Sequence, residues 1–275
     1  QVATATEYWI LYRAANVPIR WRMNLALFYA GGLGNYLPLQ AGSVYRFHFM
    51  KAVHGVGYSR TVSVFGQNFV ITIAAAGTVI ITGVLTTAAF TTRSLSWIML
   101  VVGIAMVSGA IVLAVVPLPH IRWLRGRPAR WWSEFHEGWE TLRREPRVAV
   151  RVLLLEVVCS VTFALRLALV FDLLGVHAPF FLCLALAPVA SPATALAITP
   201  GALGFREAAV AGAAVAMGFR VPTGIFAAGI DRGVLLLVTV VFGVGGYVLT
   251  LPHLRRARRE AAVADPTPTA ARPPG

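Results

Sequence analysis

The sequence predicts an all-α, polytopic transmembrane bundle in which two broken, re-entrant helix hairpins occupy inverted-repeat halves. Three observations carry this. The chain is 57% hydrophobic and only 13% charged, about half the charge of an ordinary soluble domain. Its apolar residues come in four blocks, 62–90, 95–117, 148–175 and 223–251, each long enough for the roughly 20 residues that cross a hydrocarbon core. Two further apolar regions are interrupted by Pro and Gly at matching positions. Without water to satisfy backbone groups, the blocks must be helices, and the alternation of a membrane β-barrel is absent.

The first broken region, 21–38, leads through Pro38 and Gly42 to Arg46. The first spanning block follows at 62–90 and the second at 95–117. Residues 118–147 then carry seven arginines and four glutamates. Trp132, Phe135, Trp139 and Leu142 fall on one face there, the pattern of an amphipathic helix at the membrane–water boundary. Block 148–175 is the third span. The second broken region, 180–199, leads into Pro200, Gly201, Gly204, Arg206 and Glu207. The fourth span follows at 223–251, and 253–275 reads as a disordered basic tail. The expected organisation is a first membrane half over 1–117, a basic linker over 118–147, a second half over 148–252 and the tail.

The repeat rests on five landmarks. Pro18 matches Pro179, Pro38 matches Pro200, Gly42 matches Gly204, Gly57 matches Gly218 and Phe65 matches Phe226, all 161 or 162 residues apart. Block 148–175 has no full counterpart upstream. Residues 8–13 resemble the end of one, so a further transmembrane helix is expected before residue 1. Broken helices at equivalent places in inverted halves point to a substrate site near the membrane midplane.

Charge sets the expected orientation. The arginines of 118–147 and Arg255, Arg256, Arg258 and Arg259 belong in the cytoplasm by the positive-inside rule, while 175–179 lacks Lys and Arg and faces outward. A net charge of +13 placed beside apolar blocks suits anionic lipid headgroups and not nucleic acid. Lys51 is the only lysine, and with abundant Ala this composition suggests a GC-rich bacterial genome. The expected location is a bacterial inner membrane.

Charges inside spans are costly and need partners or a polar cavity. Glu156, Arg166, Asp231 and Arg232 are the candidates for a buried charge network. Arg206 follows a Gly-rich break where a helix starts, a place suited to an anion, and its planar fork matches phosphate. Arg46 is expected to hold a similar place in the first half, with Asn35 as its polar neighbour. These placements mark Asn35, Pro38, Gly42, Arg46, Pro200, Gly201, Gly204, Arg206 and Glu207 as candidate substrate-binding residues. No nucleophile triad, P-loop or metal-ligand spacing is present, Cys159 and Cys183 form no framework, and the glycines of 31–34 lack a dinucleotide context. No enzyme, cofactor or metal is therefore expected.

The segments NYLPLQAGSVYR, holding Asn35, Pro38, Gly42 and Arg46, and PGALGFRE, from Pro200 to Glu207, resemble the paired signatures of the lysylphosphatidylglycerol-synthase transmembrane, or flippase-like, family. The resemblance implies a bacterial or archaeal membrane protein with re-entrant segments. It further implies, in some members, movement of an aminoacylated phospholipid across the bilayer. Two positions depart from the family pattern. Ser43 stands where a Glu usually follows the Gly, and Gln67-Asn68 stand where a Glu-Arg pair usually opens the next helix. The expected function is translocation of an anionic phospholipid or polyprenyl-linked lipid. The alternative is a membrane partner that docks a lipid-modifying glycosyl- or aminoacyl-transferase through 118–147.

Overall fold

A computed structural model describes residues 1–37, 40–90, 96–116, 126–189 and 204–264. Among these, the regular structure is helical throughout. The helices are α1 (Val2–Ala14), α2 (Trp21–Gly34), α3 (Ala41–His54), α4 (Tyr58–Phe90), α5 (Trp97–Val115), α6 (Arg127–Arg144), α7 (Pro146–Leu173), α8 (Phe180–Leu186), α9 (Phe205–Ala216) and α10 (Val221–Ala264), with a 3-10 turn at Ala187–Val189. Four of them, α4, α5, α7 and α10, are long and apolar enough to span a membrane, and they coincide with the four apolar blocks. α5 leaves Ile98, Val101, Ile111 and Val115 more than half exposed, a surface that lipid and not water solvates.

The two hairpins sit at opposite ends of the bundle. At one end, Val17 and Ile19 ahead of α2 share an apolar cluster with Phe49 and Met50 at the end of α3, Val148 at the start of α7 and Leu254 late in α10. Hairpin α2–α3 thus begins and finishes at that end. At the other end, Leu182 of α8 packs with Met217 and Phe219, just past α9, and with Phe171 of α7. There the Phe171 and Phe219 rings stack at 4.8 Å, and Ser96 Oγ donates to the Ala216 carbonyl at 3.0 Å. Helices of 14 residues, like α2 and α3, reach roughly 21 Å, short of the roughly 30 Å core.

Cap geometry repeats between the halves. Asn16 after α1 and Gly175 after α7 both have positive φ, and the next amide reaches back to Tyr12 O at 2.8 Å and Phe171 O at 2.9 Å respectively. Gln40 and Gly204 both have positive φ at the starts of α3 and α9, and Gly55 and Gly218 follow their ends. These matched caps are 159, 164 and 163 residues apart. The constant 161–162 offset read from Gly and Pro therefore needs correction. The hairpins differ in length, so the register drifts along the repeat.

Glycines let α2 and α3 touch. A Cβ on Gly42 would fall onto the Gly31 carbonyl oxygen, and one on Gly34 would lie 2.7 Å from the Gly42 Cα. No larger residue fits at this crossing.

α6 packs its aromatic face inward. Trp139 is buried beside Val70 and Ala110, Phe135 stacks on it at 5.9 Å, and Ser59 Oγ donates to the Glu134 carboxylate. The α6 and α10 basic segments lie at the same end of the bundle, since α4 starts there with Val56 and Val64 beside Leu254. One expectation is overturned. The chain from 253 was read as a disordered tail, yet α10 continues to Ala264. After Pro252 the sequence offers strong helix formers without Gly or Pro, and Arg256 Nε pairs with Glu260 at 2.9 Å one turn on. Residues 265–275 lie outside the described residues.

Candidate functional site

Arg46 lines a half-open cavity of about 610 Å³ bounded by α1, α2, α3, α4 and α7. It is only 5% exposed. Its guanidinium lies 4.3 Å from the Tyr8 ring centre, 4.6 Å from Phe65 and 5.3 Å from Phe28. The side chain fits because residue 31 is glycine: a Cβ there would meet Arg46 Cδ at 2.5 Å. Ring faces stabilise a desolvated cation by about 1–2 kcal/mol each. The Tyr8 and Tyr12 hydroxyls are neutral acceptors for the guanidinium, but Arg46 Nε has no hydrogen-bond partner. Among the described residues no carboxylate pairs with Arg46 within 4.0 Å. A buried guanidinium without a directly paired carboxylate has the chemistry to receive an anion.

The hairpin tip beside it is held by Asn35. Its Oδ1 accepts the Ser43 amide at 3.0 Å and the Ser43 hydroxyl at 3.4 Å, satisfying an open amide in the first turn of α3. On α4, Asn68 is buried with its Oδ1 unpartnered, while its Nδ2 donates to Thr72 at 3.2 Å.

A second cavity, about 190 Å³, lies on the other side of the tip and shares Phe28, Asn35 and Gln40 with the first. Arg206 and Arg232 line it. Arg206 is the second residue of α9 and 7% exposed. Its Nη2 donates to Asp231 Oδ2 at 2.8 Å, and Arg166 Nε donates to Asp231 Oδ1 at 2.9 Å. Both guanidiniums also face the Phe163 ring, at 5.0 and 5.1 Å. Glu207 Oε2 accepts the Gly204 amide at 2.7 Å, closing the start of α9. Its other oxygen is 3.3 Å from Arg232 Nη1. Three guanidiniums therefore face two carboxylates, leaving one positive charge.

The sequence-derived candidates divide accordingly. Arg166 and Arg206 pair with Asp231, and Glu207 pairs with Arg232 beside them, so these five form two adjoining ion-pair groups, with Gly204 capping α9. Asn35, Gly42 and Arg46 form the first cavity and its hairpin. Pro38, Pro200 and Gly201 lie outside the described residues. Two expectations are corrected. Glu156 does not join the network, because it stands on the α7 face toward α1, where Thr72 donates to it. Arg46 is not placed like Arg206 either. It is the sixth residue of its helix and Arg206 the second, an offset of about 6 Å along the axis.

Glu7 went unnoticed in the sequence. It is fully buried, and one oxygen of it, one of Glu156 and Cys159 Sγ all lie within 4.8 Å of one another. Glu7 sits in a short stretch that is not recognisable as a span, so the cost of burying it left no visible signal. Only the apolar run Tyr8–Tyr12 beside it hinted at burial.

The family model of the lysylphosphatidylglycerol synthase TM region matches residues 2–243. The chain belongs to this family. The matched span takes in both hairpins and, Gln1 apart, every residue that lines the two cavities. No curated protein and no solved structure matches the chain. Family and helices together make it an integral, multi-pass membrane protein of lipid metabolism or transport.

Proposed function

We propose that the chain is a lipid translocase that accepts the anionic headgroup of a phospholipid or polyprenyl-linked lipid. The observation that carries this reading is Arg46, a buried cation without a carboxylate partner among the described residues, in a cavity of about 610 Å³. That volume lies in the range of small-ligand sites, and a phosphate ester supplies the charged, bidentate acceptor that the planar fork lacks. The wall shared with the Arg206–Arg232 cavity supports a second station for the same headgroup. In this reading the short hairpins α2–α3 and α8–α9 are re-entrant and dip toward the midplane from opposite leaflets. The end bearing α6 and the last turns of α10 faces the cytoplasm of a bacterial inner membrane. The chain moves lipid and makes no covalent bond.

A docking role for a lipid-modifying enzyme has one observation in its favour. α6 leaves Trp131, Ser133 and Glu137 exposed while Trp139 is buried. The two readings separate in liposomes. Purified protein is reconstituted with fluorescent phosphatidylglycerol, and leaflet exchange is followed by quenching the outer leaflet. Translocation predicts exchange well above empty liposomes for the wild type and near the empty level for Arg46→Gln. Wild-type protein that is folded yet inert toward several anionic headgroups contradicts it and favours docking.

A further inference from the structure

We propose that Glu7 and Glu156 form a proton-carrying pair, so that each anionic headgroup entering at Arg46 is accompanied by one proton. This rests on the translocase reading and adds its energy source.

Glu7 on α1 is 0% exposed and Glu156 on α7 is 8% exposed. Their nearest oxygens and Cys159 Sγ lie within 4.8 Å of one another. Two carboxylates so close and so dry do not both ionise, so the pair holds one proton and one negative charge. The groups around it are few. Thr72 on α4 donates to Glu156. Cys159 on α7 donates to Glu7 Oε1 at 3.6 Å and is itself 3.5 Å from Thr4 Oγ1. Tyr8 faces it from α1, and Arg46 faces it from α3 across Tyr8. Among the described residues no guanidinium or ammonium pairs with either carboxylate. Glu7 Oε2 is buried and has no hydrogen-bond partner.

That open oxygen is where a second proton goes. Thr72 and Cys159 already present hydrogens to Glu156 Oε1 and Glu7 Oε1, which suits a proton site and not a metal, since a metal needs lone pairs and a thiolate. In the resting cavity the remaining charge of the pair offsets Arg46. A headgroup phosphate on Arg46 leaves one negative charge unbalanced out of water. Protonation at Glu7 Oε2 converts the last carboxylate to a carboxylic acid and restores neutrality. Headgroup and proton then leave together, and no covalent bond of the lipid changes. The step is an electroneutral symport.

Two measurements test it. In proteoliposomes, a pH gradient of one unit should skew labelled phosphatidylglycerol toward the alkaline leaflet, up to about tenfold for one proton per lipid. Glu7→Gln and Glu156→Gln, which keep shape and remove the titratable oxygen, should show a ratio near unity with or without the gradient. Wild-type exchange that ignores the gradient overturns the symport and leaves translocation standing. Independently, adding dihexanoyl phosphatidylglycerol to detergent-solubilised protein in weak buffer should take up one proton per bound lipid, read by a pH indicator. The uptake should vanish in both Gln variants. Binding without uptake by the wild type overturns the proposal even where no exchange occurs, and absence of exchange speaks against the translocase alone.

Discussion

Asp231→Asn should be among the most damaging single substitutions in the protein. Asp231 is 2% exposed and receives Arg206 at 2.8 Å and Arg166 at 2.9 Å. Asn keeps the shape and one acceptor but removes the charge. The Arg206 side chain, 9% exposed, is then left dry without its counterion, whereas Arg166, at 36%, reaches solvent or headgroups and loses little. Breaking a buried pair on one side costs about 3–5 kcal/mol. Since about 2–4 °C accompanies each kcal/mol in a chain of this size, the thermal midpoint in detergent should fall on the order of 10 °C. Joining Asp231→Leu with Arg206→Met should recover much of that loss, because the double change leaves no stranded charge. A midpoint within about 2 °C of wild type for Asp231→Asn, an effect below about 1 kcal/mol, would refute the buried network. So would a double variant as unstable as the worse single one.

Three other substitutions probe the scaffold of the site. Gly42→Ala should force α2 and α3 apart, costing about 1–3 kcal/mol and abolishing headgroup binding, as read by titration with short-chain phosphatidylglycerol. Trp139→Ala should cost about 3–5 kcal/mol, lower the thermal midpoint, and expose α6 to limited proteolysis while lipid exchange persists. Glu207→Ala should open the first turn of α9 and remove the carboxylate 3.3 Å from Arg232 Nη1, so the loss read from the thermal midpoint should exceed the about 1–2 kcal/mol of a helix cap alone.

The spans were legible because hydrocarbon imposes one rule on every residue in them: α4, α5, α7 and α10 stand where unbroken apolar runs stand. α6 was legible for the same kind of reason, as its tryptophans recur at helical spacing. The tail was misread because charge and Pro suggest disorder, while helix formation beyond Pro252 depends on local pairs such as Arg256–Glu260. The repeat was visible through Gly and Pro, but its register was not. Caps of positive φ set that register, and Gln40 performs in the first half what Gly204 performs in the second. Within the site, Arg206, Asp231 and Arg232 stood out as costly charges in apolar sequence. Their pairing did not, since Arg166 and Asp231 meet across 65 residues and spacing carries no trace of such a contact. Glu7 was invisible for a further reason: its cost appears only when α1 packs against α7.

Arg46 is the residue on which the account turns, and leaflet exchange of fluorescent phosphatidylglycerol in proteoliposomes tests it most directly. Wild-type protein should exchange the lipid well above empty liposomes. Arg46→Gln should fall to the empty level, and Arg46→Lys, which keeps the charge but loses the planar fork, should retain a fraction. Full exchange by Arg46→Gln, in a protein as stable as wild type, would contradict the claim that a buried, unpaired arginine receives the headgroup.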